Sequence, residues 1–375
     1  MSLPLADMLL LDLATPDRRS AAAQCATLIR NGMALDQLVD EGLAPAMTQV
    51  GSLWQTAVWT VVDEHTATAV AEAGLSAAAA ECNAPRMHGE VVLACAEGDW
   101  HSLPARMVAE VLVTHGWPVR FLGASHPTDI LVDHLVRHRP DAVLLSCAVP
   151  MALPALMRAV QAIRALELPV YVGGRALGNG PRRARALGAD GWATNAAGAV
   201  ELLTRRPRHT PTHDVTARLD AYRAGQSLLS GWADDATGAL ASLMPVVDDY
   251  SPEKRDRTRA DLAHLLDMAC VTLLLDDPTL LAEQCDWLND VLAARCVPPD
   301  AVTHGLTALL GTSPPTAPAP SVTAALHRAR QHLAGQSQDR PVSPSGATVA
   351  DDVRARSRRA RSSIESSSND GVGPD

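Results

Sequence analysis

Apolar residues recur every three or four positions through the first part of the chain, residues 3–83. This spacing matches the turn of an α-helix, so the segment is predicted to be helical. Helix starts are expected at Pro16, as the first helical residue, and at Thr60, which with Asp63 has the form of a capping box. Four helices of this size predict an antiparallel bundle over residues 1–83.

Short apolar runs alternate with helical patterns between residues 88 and 205. The predicted strands are 90–96, 118–122, 141–146, 168–172 and 190–194. The predicted helices are 103–116, 128–138, 150–166, 180–187 and 197–204. Strands and helices that alternate with short connections predict a doubly wound, Rossmann-like parallel sheet.

A third region, residues 214–334, has helical periodicity interrupted by proline. Its predicted helices are 214–230, 233–247, 252–275, 278–295, 298–310 and 319–334. No heptad is sustained, so an all-α globular domain is expected rather than a coiled coil. Residues 335–375 have almost no apolar content and are predicted to be disordered.

Composition narrows the classes of function. The chain has 375 residues, 47% of them apolar, and a net charge of −10, which argues against nucleic acid as a partner. It has no run of about 18 apolar residues, so a cytoplasmic protein without membrane contact is expected. Seven cysteines without a Cys-x-x-Cys pair are interpreted as small buried hydrophobic residues. Phosphate loops, zinc spacings and Ser-His-Asp motifs are absent, so the polypeptide is not expected to be an enzyme.

Candidate ligand-binding residues follow three of the predicted strands. Asp99 and His101 come after the first strand, Ser146 ends the third, and Gly173 and Gly174 end the fourth. The carboxyl ends of parallel strands share one edge of the sheet, where ligands bind. His101 can offer a ring nitrogen to a metal while Asp99 holds the other nitrogen and fixes the tautomer.

The spacing of these residues resembles the cobalamin-binding signature Asp-x-His-x-x-Gly, Ser-x-Leu and Gly-Gly, over about residues 88–205. The resemblance implies that His101 replaces the cofactor's own dimethylbenzimidazole as the lower cobalt ligand. It also implies that Ser146 and the glycine pair line the slot for the displaced nucleotide tail. Two positions depart from the signature: Pro104 stands in place of glycine, and Ala148 in place of a frequent leucine.

Trp54, nine further residues and then Glu64-His65 form a second pattern, in the predicted bundle. Taken alone, Trp54 fits a core anchor and Glu64 a surface acid at a helix N-terminus. Beside a cobalamin domain, the pattern resembles the light-sensing adenosylcobalamin proteins, which implies that Trp54 and Glu64 cap the adenosyl group. Gln55 stands where light-dependent repressors carry a histidine that binds cobalt after photolysis. Whether His65 or water replaces that histidine stays open.

The C-terminal region carries Arg255, Arg259 and His264 at spacings interpreted as one-turn steps along a single helix. A solvated helix face explains such a run of charge. The whole chain also resembles the photocobilins, which implies that a globin-like C-terminal domain holds biliverdin, with cations for its propionates. Cys270 and Cys296 are expected in the core rather than in a covalent bilin link, as is Cys285.

Three hypotheses follow. The first is a photoreceptor that binds adenosylcobalamin and biliverdin, in which light-driven cleavage of the cobalt–carbon bond changes domain packing or oligomeric state. Its expected partners are further copies of the chain, in a light-dependent homo-oligomer, and an unidentified output protein. The alternative is a corrinoid carrier for a methyltransferase, which shares His101 but leaves Trp54, Glu64 and the C-terminal helices unexplained. The third is a relic that binds nothing, with Pro104 as its symptom.

Overall fold

The computed structural model describes residues 4–205, 215–298, 300–315 and 319–336. An N-terminal four-helix bundle comes first, as predicted. Its helices are α1 (Leu5–Leu13), α2 (Arg18–Arg30), α3 (Leu35–Gln37), which continues through a π-helical segment (Leu38–Leu43) into α4 (Ala44–Gln55), and α5 (Val61–Ala80). The π-helical segment within the third helix was not predicted.

The two predicted helix starts of the bundle have different outcomes. The capping box at α5 is confirmed, because Thr60 Oγ1 accepts from the Asp63 N–H at 3.2 Å and the Asp63 carboxylate accepts from the Thr60 N–H at 2.8 Å. The start predicted at Pro16 is wrong. Asp17 is the N-cap, with its carboxylate accepting two backbone N–H groups at 3.0 Å, and α2 begins at Arg18. A carboxylate that satisfies free N–H groups is the stronger start signal.

A five-stranded parallel sheet follows, which confirms the doubly wound fold. The strands are β1 (Val91–Cys95), β2 (Val119–Gly123), β3 (Ala142–Ser146), β4 (Val170–Gly173) and β5 (Gly191–Ala193), in the order β2-β1-β3-β4-β5. The helices are α6 (Ser102–Thr114), α7 (Thr128–His138), α8 (Leu153–Ala165), α9 (Arg182–Leu187) and α10 (Ala196–Arg205). The order reverses between β1 and β3, and ligands of such sheets bind beyond the strand ends at this point.

The C-terminal region is all-α, as predicted. Its helices are α11 (Thr216–Gln226), α12 (Leu229–Leu243), α13 (Pro252–Leu275), α14 (Leu280–Ala293), α15 (Ala301–Gly311) and α16 (Ala319–Gln336), with a 3-10 turn at Pro245–Asp249. The segment predicted to be disordered starts at residue 335, but residues 335 and 336 belong to α16. Residues 337–375, the rest of that segment, lie outside the described residues. Among the described helices, none is long and apolar enough to cross a membrane.

The two helical regions lie on opposite sides of the sheet domain, and α6 and α10 separate the bundle from the sheet. Leu103, Met107 and Val111 of α6 share a core with the bundle, whereas the core that contains Val92 and Val143 continues through α8 into the C-terminal helices. The bundle is further tied to the sheet domain because the carboxylate of its Asp40 accepts the first two N–H groups of α10 at 3.1 and 3.0 Å. A different helical region therefore packs on each side of the sheet domain.

The cysteines are mostly, but not all, internal. Cys270 and Cys285 are buried as expected, whereas Cys296 is exposed, which corrects its assignment to the core. Cys296 lies just beyond the end of α14 with a positive φ of 59°, so the chain turns outward there. Burial raises the pKa of the Cys270 and Cys285 thiols to about 12 in each case, which makes both poor nucleophiles.

We expect Gly174→Ala to destabilise the sheet domain by about 2–4 kcal/mol. Gly174 has a φ of 102°, and a Cβ there would lie 2.3 Å from the carbonyl oxygen of Cys147. The measurement is urea unfolding with and without cobalamin. Gly180→Ala is the matched control, because no atom lies within 4 Å of a Cβ at that position. Equal stability of the two variants would contradict this account of the glycine pair.

Candidate cofactor site

His101 lies immediately before α6, on the loop that leaves β1. Its Nδ1 is 2.9 Å from Asp99 Oδ1, and its backbone N–H donates to the same oxygen at 3.0 Å. Asp99 is fully buried, whereas 58% of the His101 side chain is exposed. Because Asp99 engages Nδ1, the nitrogen left to bind a metal is Nε2.

Asp99 is itself fixed from two neighbouring loops. Its Oδ2 accepts from the backbone N–H of Ala148, after β3, and its carbonyl accepts from the Ser125 N–H at 3.0 Å, after β2. Ala148 contributes only its backbone here, so the departure from leucine leaves this contact unchanged. Pro104 is the third residue of α6, where a missing N–H costs no helical hydrogen bond. Neither departure from the signature disturbs the contacts that hold His101.

The charges around His101 come from three parts of the fold. The hydrogen bond to Asp99 raises the pKa of His101, against the lowering effect of burial; Glu64 raises it further and Arg175 lowers it. Glu64 belongs to the bundle and Arg175 to the loop after β4. The bundle and the sheet edge therefore face each other across His101. Sequence reasoning missed Arg175, although it directly follows the predicted glycine pair.

Glu64 and His65 play different parts in the structure. Glu64 accepts from Thr68 Oγ1 at 3.2 Å and lies 3.4 Å from His65 Nε2. The His65 side chain is 76% exposed and lines a surface cleft of about 340 Å³ with Pro16 and Arg18. Of the two adjacent side chains, Glu64 is the one that contributes to the electrostatic environment of His101.

Trp54 and Gln55 lie at the end of α4 and contact the C-terminal region. The ring of Trp54 stacks on Trp287 of α14, and Gln55 Nε2 donates to Asp290 Oδ2 at 3.3 Å. Gln55, which stands where the light-dependent repressors carry a histidine, is thus hydrogen-bonded to α14 through its side-chain amide. No local sequence pattern indicated these contacts, because the partners are more than 230 residues apart.

The residues predicted to hold a nucleotide tail do come together. Ser146 and Gly173 are paired in register at the ends of β3 and β4. A Cβ at Gly173 would lie 3.0 Å from the carbonyl oxygen of Ala193, and one at Gly174 would overlap Cys147. Both glycines are therefore required by close contact with the neighbouring main chain, which holds the ends of β3 and β4 together. Together with the His101–Asp99 pair, these residues fit a cobalamin bound through histidine.

The three candidate bilin residues do not form one cluster. Arg255 is exposed and donates to the carbonyl of Asp248 at 2.7 Å, and Arg259 is exposed 3.8 Å from Asp234. His264 is nine residues beyond Arg255, which is two and a half turns, so it lies on the opposite side of α13. The interpretation of all three as one-turn steps is therefore wrong for His264.

Comparison with known proteins assigns the first two regions. Two family models, each described as a B12 binding domain, match residues 5–78 and residues 89–201. They coincide with the bundle and the parallel sheet, and the C-terminal helices lie outside both. The chain is therefore a cobalamin-binding protein that carries B12-binding domains in its first two regions. A comparison with curated proteins finds no match.

Several solved structures are similar to this chain at low identity. The monomethylamine corrinoid protein of Methanosarcina barkeri is 19% identical over 54% of this chain and 98% of its own, with a TM-score of 0.48. A cobalamin-binding protein from Desulfitobacterium hafniense DCB-2 is 23% identical over 50% and 98%, with a TM-score of 0.30. The methanol:cobalamin methyltransferase complex of M. barkeri is 19% identical over 54% and 79%, also with a TM-score of 0.30.

We expect His101→Ala to abolish histidine ligation of bound cobalamin, because among the described residues His101 is the one imidazole that Asp99 holds. The absorption spectrum, and the nitrogen splitting in the electron paramagnetic resonance of the cobalt(II) form, report this ligation directly. His115→Ala removes an exposed imidazole at the other end of α6 and should leave both spectra unchanged. Histidine ligation that persists in His101→Ala would remove the basis of the site.

Proposed function

We propose that this chain is a light-sensing receptor that binds adenosylcobalamin between its bundle and its parallel sheet. The observation that carries the proposal is the position of Glu64, which the bundle places within electrostatic reach of His101. Trp54 ends the preceding long helix and is held there by the C-terminal region. An acid and an aromatic ring suit an adenosyl group, which offers hydroxyl donors and a flat base.

Each residue then has a distinct task. His101 would hold the cobalt through Nε2, Asp99 would fix the direction of that nitrogen, and Ser146 with the glycine pair would lie beside the nucleotide tail. When bound, adenosylcobalamin would supply a cobalt–carbon bond that light can cleave. Glu64 would accept hydrogen bonds from the ribose, and Trp54 would pack against the adenine. The polypeptide contributes binding and orientation, without catalysis of its own.

Without the adenosyl group, Glu64 and Trp54 would lose the contacts that favour one position of the bundle. A two-state change follows only if the ligand binds the two arrangements with different affinity, and contacts made solely by the upper group provide that difference. We propose that the output is a change in domain packing or in self-association, read by an unidentified partner.

Biliverdin remains the proposed second chromophore, and His264 is the residue that supports it. Its Nε2 is buried without a hydrogen-bond partner among the described residues, and burial lowers its pKa. A neutral, unsatisfied ring nitrogen in an all-α domain suits the pyrrole N–H groups of a linear tetrapyrrole. Arg255 and Arg259 are exposed and lie away from His264 on α13, so they are less suited to the propionates.

A corrinoid carrier for a methyltransferase is the second candidate. The observation that favours it is the match of B12-binding domains to both the bundle and the sheet. Carriage of a methyl group requires another enzyme to reach the upper face, so the bundle would have to move away. The two candidates therefore differ in whether the end of α4 stays in contact with the C-terminal region or moves away from it.

The first experiment is an absorption spectrum of protein purified in the dark with adenosylcobalamin and biliverdin, repeated after green and then red light. We expect an irreversible cobalamin change together with a change in mass by light scattering. A light-responsive cobalamin band without a long-wavelength bilin band would keep the receptor and remove biliverdin. Photolysis no different from that of free cofactor, together with methyl transfer from bound methylcobalamin, would instead support the carrier.

We expect Trp54→Ala to weaken adenosylcobalamin about tenfold while hydroxocobalamin binding changes less than about twofold, because only the former reaches the cap. The measurement is equilibrium dialysis of both cofactors in the dark. Trp100→Ala is the control, since Trp100 is 75% exposed beside His101 and would affect the two forms alike. Equal losses in Trp54→Ala would reduce Trp54 to a packing residue.

A further inference from the structure

One helix of the C-terminal region, α14, contacts both the bundle and the sheet domain. Trp287, in the middle of this helix, stacks on Trp54, with 6.2 Å between the ring centroids and 25° between the planes. The guanidinium carbon of Arg295 lies 5.0 Å from the ring centroid of Trp54. An aromatic ring that contacts both another ring and a cation has few positions left to it.

The backbone of α4 is held by the same arginine. Arg295 Nη2 donates to the carbonyl of Trp54 at 3.3 Å and Nη1 donates to that of Gln55 at 3.2 Å. These carbonyls belong to the last turn of a helix, where acceptors have no partner within the helix. Nη1 also donates to the Val291 carbonyl at 2.9 Å, which ties the guanidinium back to α14. The end of α4 is therefore fixed through its side chain and its main chain.

The other end of α14 is anchored to the sheet domain. Arg183 of α9, only 5% exposed, donates to Asp277 at 2.7 Å and to Glu283 at 2.6 Å. Its third contact, at 3.1 Å, is the carbonyl of Ala176, two residues beyond Gly174. Burial would raise the pKa of Asp277, but hydrogen bonds from Arg183 and Thr279 outweigh it and lower the pKa. The carboxylate therefore stays charged and paired.

Glu283 and Trp287 are one turn apart on α14, about 6 Å along its axis, so a single turn of rigid helix connects the two anchor points. We propose that α14 is a bridging helix in which Trp287 and Arg295 are positioning residues that set the place of Trp54 over the upper face of the cofactor. This inference rests on the capping role proposed for Trp54. Coupling of this kind is reciprocal. An adenosyl group that holds Trp54 in one position would therefore also favour one position of α14, so the C-terminal region would respond to the form of the cofactor.

The test compares adenosylcobalamin with hydroxocobalamin, since a merely structural defect would weaken both. We expect Arg295→Met to weaken adenosylcobalamin about fivefold, with less than about a twofold change for hydroxocobalamin. Trp287→Ala should act in the same direction, and Trp287→Phe, which retains a ring, should restore most of the preference. Arg328→Met, at an exposed position on α16, is the matched control and should change neither affinity.

The double variant Trp54→Ala/Arg295→Met shows whether the arginine acts through the tryptophan. If it does, the double variant prefers adenosylcobalamin no less than Trp54→Ala alone, because the losses are not additive. Hydrogen exchange gives a second readout: adenosylcobalamin should slow exchange in residues 287–293, and hydroxocobalamin should not.

The outcomes separate this inference from the function on which it rests. If Trp54→Ala loses the preference for adenosylcobalamin while Arg295→Met and Trp287→Ala keep it, the bridging role is overturned and the cap survives. If Trp54→Ala keeps the preference, both the cap and the bridging role are overturned. Additive losses with no change in exchange at α14 would also overturn the coupling.

Discussion

The buried carboxylate of Asp99 is the contact on which the cofactor site depends. A fully buried charge is tolerated only when its oxygens are hydrogen-bonded, and here His101 satisfies one oxygen and the Ala148 N–H the other. Asp99 joins the loops after β1, β2 and β3, so the ends of three strands together fix the direction of the imidazole. The contacts of Asp99 with His101, Ala148 and Ser125 all include a main-chain N–H donor, so the side chain at residue 148 takes no part in them.

Local pattern was sufficient for the architecture and for bringing the candidate residues of the sheet domain to one edge of the sheet. Strands and helices alternate with short connections, and the order of a parallel sheet follows from few allowed topologies, so the strand ends that carry His101, Ser146 and Gly173 could be placed together. The period of a helix also contains the information that His264 and Arg255 lie on opposite sides, although it was first interpreted otherwise.

Other features depend on contacts between distant residues, which no local pattern encodes. Asp40 caps α10 from another domain, and Arg295 binds the end of α4 across 241 residues of sequence. The start of α2 was misplaced because proline and a capping acid compete as signals. Cys296 has the apolar neighbours of a core residue, but it follows the last turn of α14, where the chain leaves the interior.

The contact of Asp40 with α10 gives the bundle a pivot. Asp40 lies in the π-helical segment, and the helix continues from there to Trp54, about 21 Å further along at 1.5 Å per residue. Any rotation of this helix about its tied end displaces the far end most, so a tilt of about 5° moves Trp54 by about 2 Å over such a length. The third helix therefore joins the sheet domain at one end to the C-terminal region at the other, and a small tilt about Asp40 would reach α14 as a displacement of its contact with Trp54.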